Sequence, residues 1–295
     1  MLLVMRGDRL PSVATCQVLL NSYRSEGERI AVDGIFGEQT QRAVLAFQRT
    51  RHLPLTQRVD QATWEVLSDY GALQVHDHVD VFDPMLRHSE RVLQQSGARP
   101  ALAGGTCNGV PALLGELRAH GVSSGRLVML RFHGHGNRGV QAISYGTVAH
   151  TLYDGILGAP VPDIHHLPPA SAIPRNLLAA ASLEALHSQI SVASLAVPDI
   201  AFELSLLRPL FNPCGSVEFH GCQVGGRQVG RTMLQKFADI VGVPAVGART
   251  RQMTSDAVRF SGQVEIACPA GVSLRHWAKQ LSPSRSSPAA QPAAS

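Results

Sequence analysis

The segment Val32-Asp33-Gly34-Ile35-Phe36-Gly37 constrains the fold more than any other stretch of this 295-residue chain. Asp33-Gly34 and Gly37 bracket two apolar residues, which is the composition of a tight loop whose backbone angles glycine tolerates and other residues resist. A helix is expected to begin near Glu38 or Thr40, because Ala43, Val44 and Phe47 recur at the spacing of one buried helical face. An earlier segment repeats that period with Val13, Cys16, Leu19 and Leu20, and Pro11-Ser12 is a suitable start. A third short helix is expected from Ala62 to Leu67, with Trp64 and Leu67 on one face. Three short helices around one apolar cluster make a unit of about 65 residues, near the lower limit for independent folding.

These positions, together with Gly7-Asp8, Gln17, Leu20-Asn21, Gln48, Leu53, Val59 and Thr63, closely resemble the peptidoglycan-binding module found beside bacterial and phage cell-wall enzymes. The resemblance covers residues 2 to 68 and implies peptidoglycan as partner. It departs at Cys16, where the family usually has leucine and a buried thiol serves as a small hydrophobe. It departs again at Gln57-Arg58, which replaces the usual Asp-Gly turn. Most of the matching residues are core or turn residues, so the motif identifies the module without locating its sugar or peptide contacts.

Length and composition leave room for a second domain. The chain is 44% hydrophobic and 16% charged, ordinary for a globular protein. A net charge of +4 without a dense basic run suits an anionic wall polymer as readily as nucleic acid and decides little between them; no nucleic-acid partner is expected. No apolar run approaches the roughly 18 to 20 residues of a membrane helix. Met1-Leu2-Leu3-Val4-Met5 is too short for a signal-peptide core, so export without a Sec signal and action at or beyond the cell envelope are expected. The five cysteines, Cys16, Cys107, Cys214, Cys222 and Cys268, form no Cys-x-x-Cys pair. Neither a disulfide framework, a structural metal nor another cofactor is indicated.

The expected organisation is a peptidoglycan-binding domain at 1–69, a connector at 70–99 with a helix from Pro84 to Gln95, an α/β domain at 100–281 and a disordered tail at 282–295. In the α/β domain, strands are expected at Arg99 to Ala103, Leu127 to Phe132, Ser216 to His220, Val243 to Ala248 and Phe260 to Ala267. Helices are expected at Val110 to His120, Leu177 to Ile190, Ile200 to Leu210, Val229 to Val241 and Leu274 to Leu281. Such alternation argues for a mostly parallel sheet with flanking helices.

Two segments share one layout, an apolar strand running into glycine-flanked polar residues: Leu130-Arg131-Phe132-His133-Gly134-His135-Gly136 and Val217-Glu218-Phe219-His220-Gly221-Cys222. At the carboxyl ends of parallel strands, a cysteine deprotonated by a nearby imidazole attacks a carbonyl, and amides next to glycine stabilise the oxyanion. This arrangement resembles the caspase-like cysteine peptidases, including bacterial CHAT domains, over residues 100 to 250. The resemblance implies a caspase-like α/β domain that cleaves a protein or peptide, with Cys222 as nucleophile, His135 as base and the amides of Gly136 and Cys222 as oxyanion donors. His133 is the alternative base, since it too precedes a glycine.

His220-Gly221-Cys222 also resembles the motif of the L,D-transpeptidases. That family places another His-Gly pair shortly before its cysteine and has a mostly β fold, whereas the nearest such pair here ends far upstream at Gly136 and helical patterning intervenes. A third reading is a non-catalytic relative that docks on a secretion or phage structure while the first module holds the wall. His76 and His78 read as solvated, His165-His166 as part of a Pro-rich loop, and Arg138, Arg249, Arg251 and Asp256 as loop-end charges able to select a substrate side chain.

Overall fold

The computed structural model describes residues 3–70, 77–82, 99–101, 109–119, 121–133, 136–143, 186, 189–252 and 259–281. The expected helix at 84–95, the stretch at 146–185 and the tail from 282 lie outside them. The first three elements are the helices α1 (Pro11–Ser22), α2 (Glu38–Thr50) and α3 (Gln61–Tyr70). Proline at the first position of α1 is pre-set for helix entry. Glu38 opens α2 and Arg49 closes it, each favourable at its end of the helix dipole. Asp60 caps α3, its Oδ1 accepting from the Thr63 amide at 3.0 Å and the Thr63 hydroxyl at 2.7 Å.

Two buried glutamines set the loops between these helices. The Gln17 amide nitrogen lies within 3.0 Å of Asp33 Oδ1, Ile35 O and Thr40 Oγ1, and its oxygen accepts from the amides of Asp33 and Gly34. Gln48 repeats the device one helix later, with its nitrogen within 3.0 Å of Thr56 Oγ1, Arg58 O and Thr63 Oγ1 and its oxygen accepting from Gln57 N. The Val32 to Gly37 loop is therefore held from inside by a side chain on the preceding helix, which satisfies backbone groups that burial would otherwise orphan.

Further helices bounded among the described residues are α4 (Gly109–Ala119), α5 (Pro198–Ser205), α6 (Arg227–Val241) and α7 (Leu274–Gln280). The strands are β1 (Asp77–Phe82), β2 (Arg99–Ala101), β3 (Leu127–His133), β4 (Gly136–Asn137), β5 (Val140–Ala142), β6 (Gln189–Ser191), β7 (Phe211–Phe219), β8 (Ala245–Ala248) and β9 (Val264–Ala267). A six-stranded sheet has the order β2-β1-β3-β7-β8-β9, parallel throughout except for β9. A small antiparallel sheet, β4-β5-β6, stands beside it. The mostly parallel sheet with flanking helices is as expected. Four strands were not: β1 lies within the stretch read as a connector, β4 and β5 follow β3 directly, and β6 takes residues 189–191 where the end of a helix was expected. The helix expected from Ile200 to Leu210 stops at Ser205 and gives way to a 3-10 turn at Arg208–Leu210.

Strand alternation divides the sheet into two faces. On one, Leu130, Phe132, Val217, Phe219 and Ala245 pack with Leu113 and Leu117 of α4, Ile200 and Leu204 of α5, and Met233, Leu234 and Phe237 of α6. Phe132 and Phe219 stack at 5.3 Å, and Phe237 meets both edge-on. Helix α6 ends at Gly242, whose φ of +81° is the left-handed C-terminal stop, while Arg208 donates to the carbonyls of Asp239 and Ile240 in its last turn.

The other face is covered by the N-terminal helices. Met129, Val246, Ala248 and Phe260 share one apolar cluster with Val13, Cys16, Leu20, Val44 and Trp64. Thr15 Oγ1 donates to Cys214 O of β7 at 2.7 Å, and Ala14 and Val32 pack with Cys268, Trp277 and Ala278 around α7. The first seven residues of α1 are consequently buried on every side, Ser12, Thr15 and Gln17 included. The three-helix unit packs as a layer on this face of the sheet.

Candidate functional site

The parallel sheet reverses its winding between β1 and β3, and the carboxyl ends near such a reversal are where open α/β sheets hold ligands. Both motif segments arrive there. All seven residues of β3 are buried, and the His220 amide donates to Phe132 O at 2.9 Å, extending the ladder by one residue past β7. His133 and His220 thus leave adjacent strands side by side. Their rings stack at 4.8 Å, and Phe260 stacks on His220 at 4.3 Å. His220 Nε2 is 2.9 Å from Glu218 Oε2, and Glu218 is fully buried, in register with the equally buried Arg131 of β3. The second carboxylate oxygen of Glu218 has no hydrogen-bond partner among the described residues.

After His220 the chain turns through Gly221 to Gly226 into α6. The Gly221 amide donates to Gln141 Oε1 of β5 at 2.9 Å, and Gln141 is the register partner of Gly136 on β4. Gly136 and Gly221 approach backbone to backbone: a Cβ placed on Gly136 would lie 2.8 Å from both Cα and C of Gly221. Two glycines are required for that approach. Farther along, a Cβ on Gly230 of α6 would lie 2.5 Å from Val224 O and from Gly225 C, so α6 starts pressed against the turn. Gln223 and Arg227, at φ +59° and +58°, are non-glycine residues in the left-handed region.

Cys222 sits in the turn, partly exposed. Its sulfur lies against the Gln252 peptide, 3.4 Å from the nitrogen and 3.7 Å from the oxygen. Gln223 N donates to Thr250 O on one side of it, and Gly221 N to Gln141 on the other. The Cys222 amide has no acceptor among the described residues. No described imidazole is hydrogen-bonded to the sulfur; His133 is engaged in the ring stack, and His135 lies outside the described residues, as do His76, Cys107, His165, His166 and Asp256. Arg138 and Arg251 are exposed nearby, and Arg249 pairs with Glu265 at 3.8 Å. Among the described residues no group of three or more His, Cys, Asp or Glu converges as a metal site. No described helix is long and apolar enough to cross a membrane.

The other described cysteines are of a different kind. Burial pushes the Cys214 thiol up to about 12 and Cys268 up to about 11, and raises Cys16, fully enclosed in the helical cluster, further still. Sequence reasoning missed Gln252, Glu218 and Gln141 as neighbours of the turn. Only Glu218 carried a signal, an acid in an otherwise apolar strand two residues before a histidine. The others come from distant segments.

Residues 9–67 match the family model described as "Putative peptidoglycan binding domain". No curated protein and no solved structure matches the chain. The N-terminal layer is thus a peptidoglycan-binding module, and its partner class is peptidoglycan.

Proposed function

We propose that the chain is a wall-associated cysteine peptidase of the caspase-like type, with Cys222 as nucleophile and His135 as general base. It would act on a protein or peptide at the cell envelope after export by a non-Sec route. The observation that supports this best is the backbone contact of Gly136 with Gly221, because it joins the His-Gly turn after β3 to the Gly-Cys turn after β7. His135 precedes Gly136 by one Cα step of about 3.8 Å. In this reading His135 takes the thiol proton and the Cys222 sulfur attacks the substrate carbonyl carbon. The amides of Cys222 and Gly136 hold the oxyanion; the C–N bond then breaks, and the amine leaves with the proton from the imidazolium. Water, deprotonated by the same imidazole, hydrolyses the thioester and restores the thiol. Glycine-flanked turns on adjacent strands, followed by the glycine-containing α6 and strand β8, match the features on which the resemblance rests.

His133 is the rival base, and its ring lies on the far side of the stack from Phe260, against His220. Single substitutions separate the two: His135→Ala is expected to abolish turnover of a peptide library while His133→Ala retains it in a folded protein. A thiol-reactive peptidyl probe applied to wild type and Cys222→Ala tests the reading as a whole. Labelling confined to wild type supports it; equal labelling of both, with no hydrolysis of any peptide, overturns it. The second reading, a non-catalytic domain, is favoured by the seating of the Cys222 sulfur on the Gln252 peptide, and unchanged biological effect in Cys222→Ser is its signature.

A further inference from the structure

We propose that the peptidoglycan module takes the wall polymer on one face only, the patch formed by the end of α2 and the loop at residues 51–58; this rests on the peptidoglycan reading of residues 9–67. The argument begins with what the α/β domain already occupies. Asp8 is clamped by Arg259 at 2.8 Å, Gly34 lies against Leu274 of α7, and Thr15 is bonded to Cys214 O. The α1 side and the Gly34 side of the Val32 to Gly37 loop are therefore covered, although Asp33, Ile35 and Gly37 stay partly exposed.

Besides the turn at 5–9, where Arg6 and Arg9 are exposed but Arg259 of the α/β domain already abuts Met5 and Asp8, two exposed loop regions remain on the module, and their chemistry differs. The stretch at 24–29 carries Glu26 and Glu28 against Arg24 and Arg29, and Arg24 is spent on the Glu28 carbonyl. From Arg49 to Val59 there are three arginines, Arg49, Arg51 and Arg58, and no acidic residue. All three are exposed, and between them Leu55 is 53% exposed, which places an apolar contact among the guanidinium groups. The patch is rigid. Gln48 binds Thr56, Gln57 and Arg58 to α2, and the Arg51 guanidinium lies over the rings of Tyr23 and Phe47 at 5.1 and 5.9 Å.

Guanidinium groups around an apolar contact suit a polymer whose stem peptides carry carboxylates and whose sugars present apolar faces. A loop whose backbone is tied to Gln48 also loses little backbone freedom on binding. The neutral loop at 24–29 offers no such complementarity.

The test is retention of the full-length chain on purified sacculi. Wild type is compared with Arg49→Glu/Arg58→Glu, with Leu55→Ser alone, and with Arg24→Glu/Arg29→Glu on the other loop; urea unfolding checks each fold. The expected result is a loss of about tenfold or more in affinity for the first variant, a smaller loss for Leu55→Ser, wild-type retention for the third, and weaker wild-type binding as salt rises. Wild type bound and both patch variants bound equally would overturn the proposal and leave the peptidoglycan reading standing. Wild type unbound at every salt concentration would overturn both. Should the double reversal fail to fold, Leu55→Ser and Arg58→Glu singly decide the question.

Discussion

Gly136→Ala probes the contact on which the candidate site depends. The added methyl carbon would lie 2.8 Å from Gly221 Cα, Gly221 C and Val224 Cγ2, and two of those three atoms are backbone. Carbon atoms rest at about 3.5 Å or more, so the β4 and Gly221 turns must separate by about 0.7 Å. Backbone cannot yield as a flexible side-chain end does, and the cost of such overpacking is about 1–3 kcal/mol. With a urea dependence of about 3 kcal/mol/M, the unfolding midpoint falls by about 0.3–1 M at unchanged slope. The separation also shifts Gly221, whose amide is bonded to Gln141, so the alkylation rate of Cys222 changes in the same variant. Gly115→Ala is the control: nothing lies within 4 Å of the added carbon, and Gly115 is inside α4, where alanine stabilises by up to about 1 kcal/mol. The same chemical change thus has opposite signs at two positions. A Gly136→Ala protein with the wild-type midpoint and wild-type thiol reactivity would refute the backbone contact and remove the main support for a joined His-Gly and Gly-Cys site.

Gln57→Gly is expected to stabilise the chain by about 0.5–1 kcal/mol, because Gln57 holds a φ of +57° that costs a side chain more than it costs glycine; a thermal melt raised by about 2 °C is the readout. Asp60→Ala removes the cap of α3 and should cost about 1 kcal/mol. Burial raises the Asp60 carboxyl, but its bonds from Thr63 and Thr56 outweigh that and hold it below its ordinary range. Its stabilisation is therefore complete above that range and is lost as pH falls through the lowered value, so the wild-type advantage in urea titrations should shrink below about pH 4. Alkylation followed by peptide mapping should find Cys222 labelled faster than Cys268, Cys214 and Cys16, whose thiols burial holds protonated. Residues 70–295 expressed alone should bind hydrophobic dye and aggregate, since Met129, Val246, Ala248 and Phe260 lose their cover; a soluble chain with native circular dichroism would contradict the packing.

The helical module was legible because its signals are local. Asp33-Gly34, Thr40 and the Ala43, Val44, Phe47 stripe each act within a few residues, and the boundaries of α1 and α2 follow. Strand β3 and the second half of β7 were legible for apolar runs interrupted only by Arg131 and Glu218, as buried parallel strands favour, whereas residues 211–215, with Asn212, Pro213 and Gly215, were not read as strand. Strand β1 was not, because Asp-His-Val-Asp-Val-Phe mixes charge into a short run and reads as solvated. The β4–β5 hairpin is too short to carry a period. The docking of α1 was hidden for another reason: Ser12, Ala14 and Thr15 are small or polar and read as the solvent side of an amphipathic helix. They are instead the side that approaches β7, where small side chains permit a close fit and Thr15 finds the Cys214 carbonyl. At the site, sequence placed the Gly136 and Cys222 segments near each other, but Gln141 and Gln252 reach the turn through tertiary folding, which leaves no local trace.

The attachment of the first helix to the sheet also dictates an order of events in folding. Thr15 and Cys214 are 199 residues apart, and Asp8 and Arg259 are 251 apart. The module leaves the ribosome early, yet the inner side of α1 stays uncovered until β7 and α7 have been made. Contacts of such separation form late and slowly, and the interval exposes apolar surface to self-association. Destabilising changes on the late elements, such as Cys214 or Trp277, should therefore lower the yield of soluble protein more than their effect on final stability would suggest.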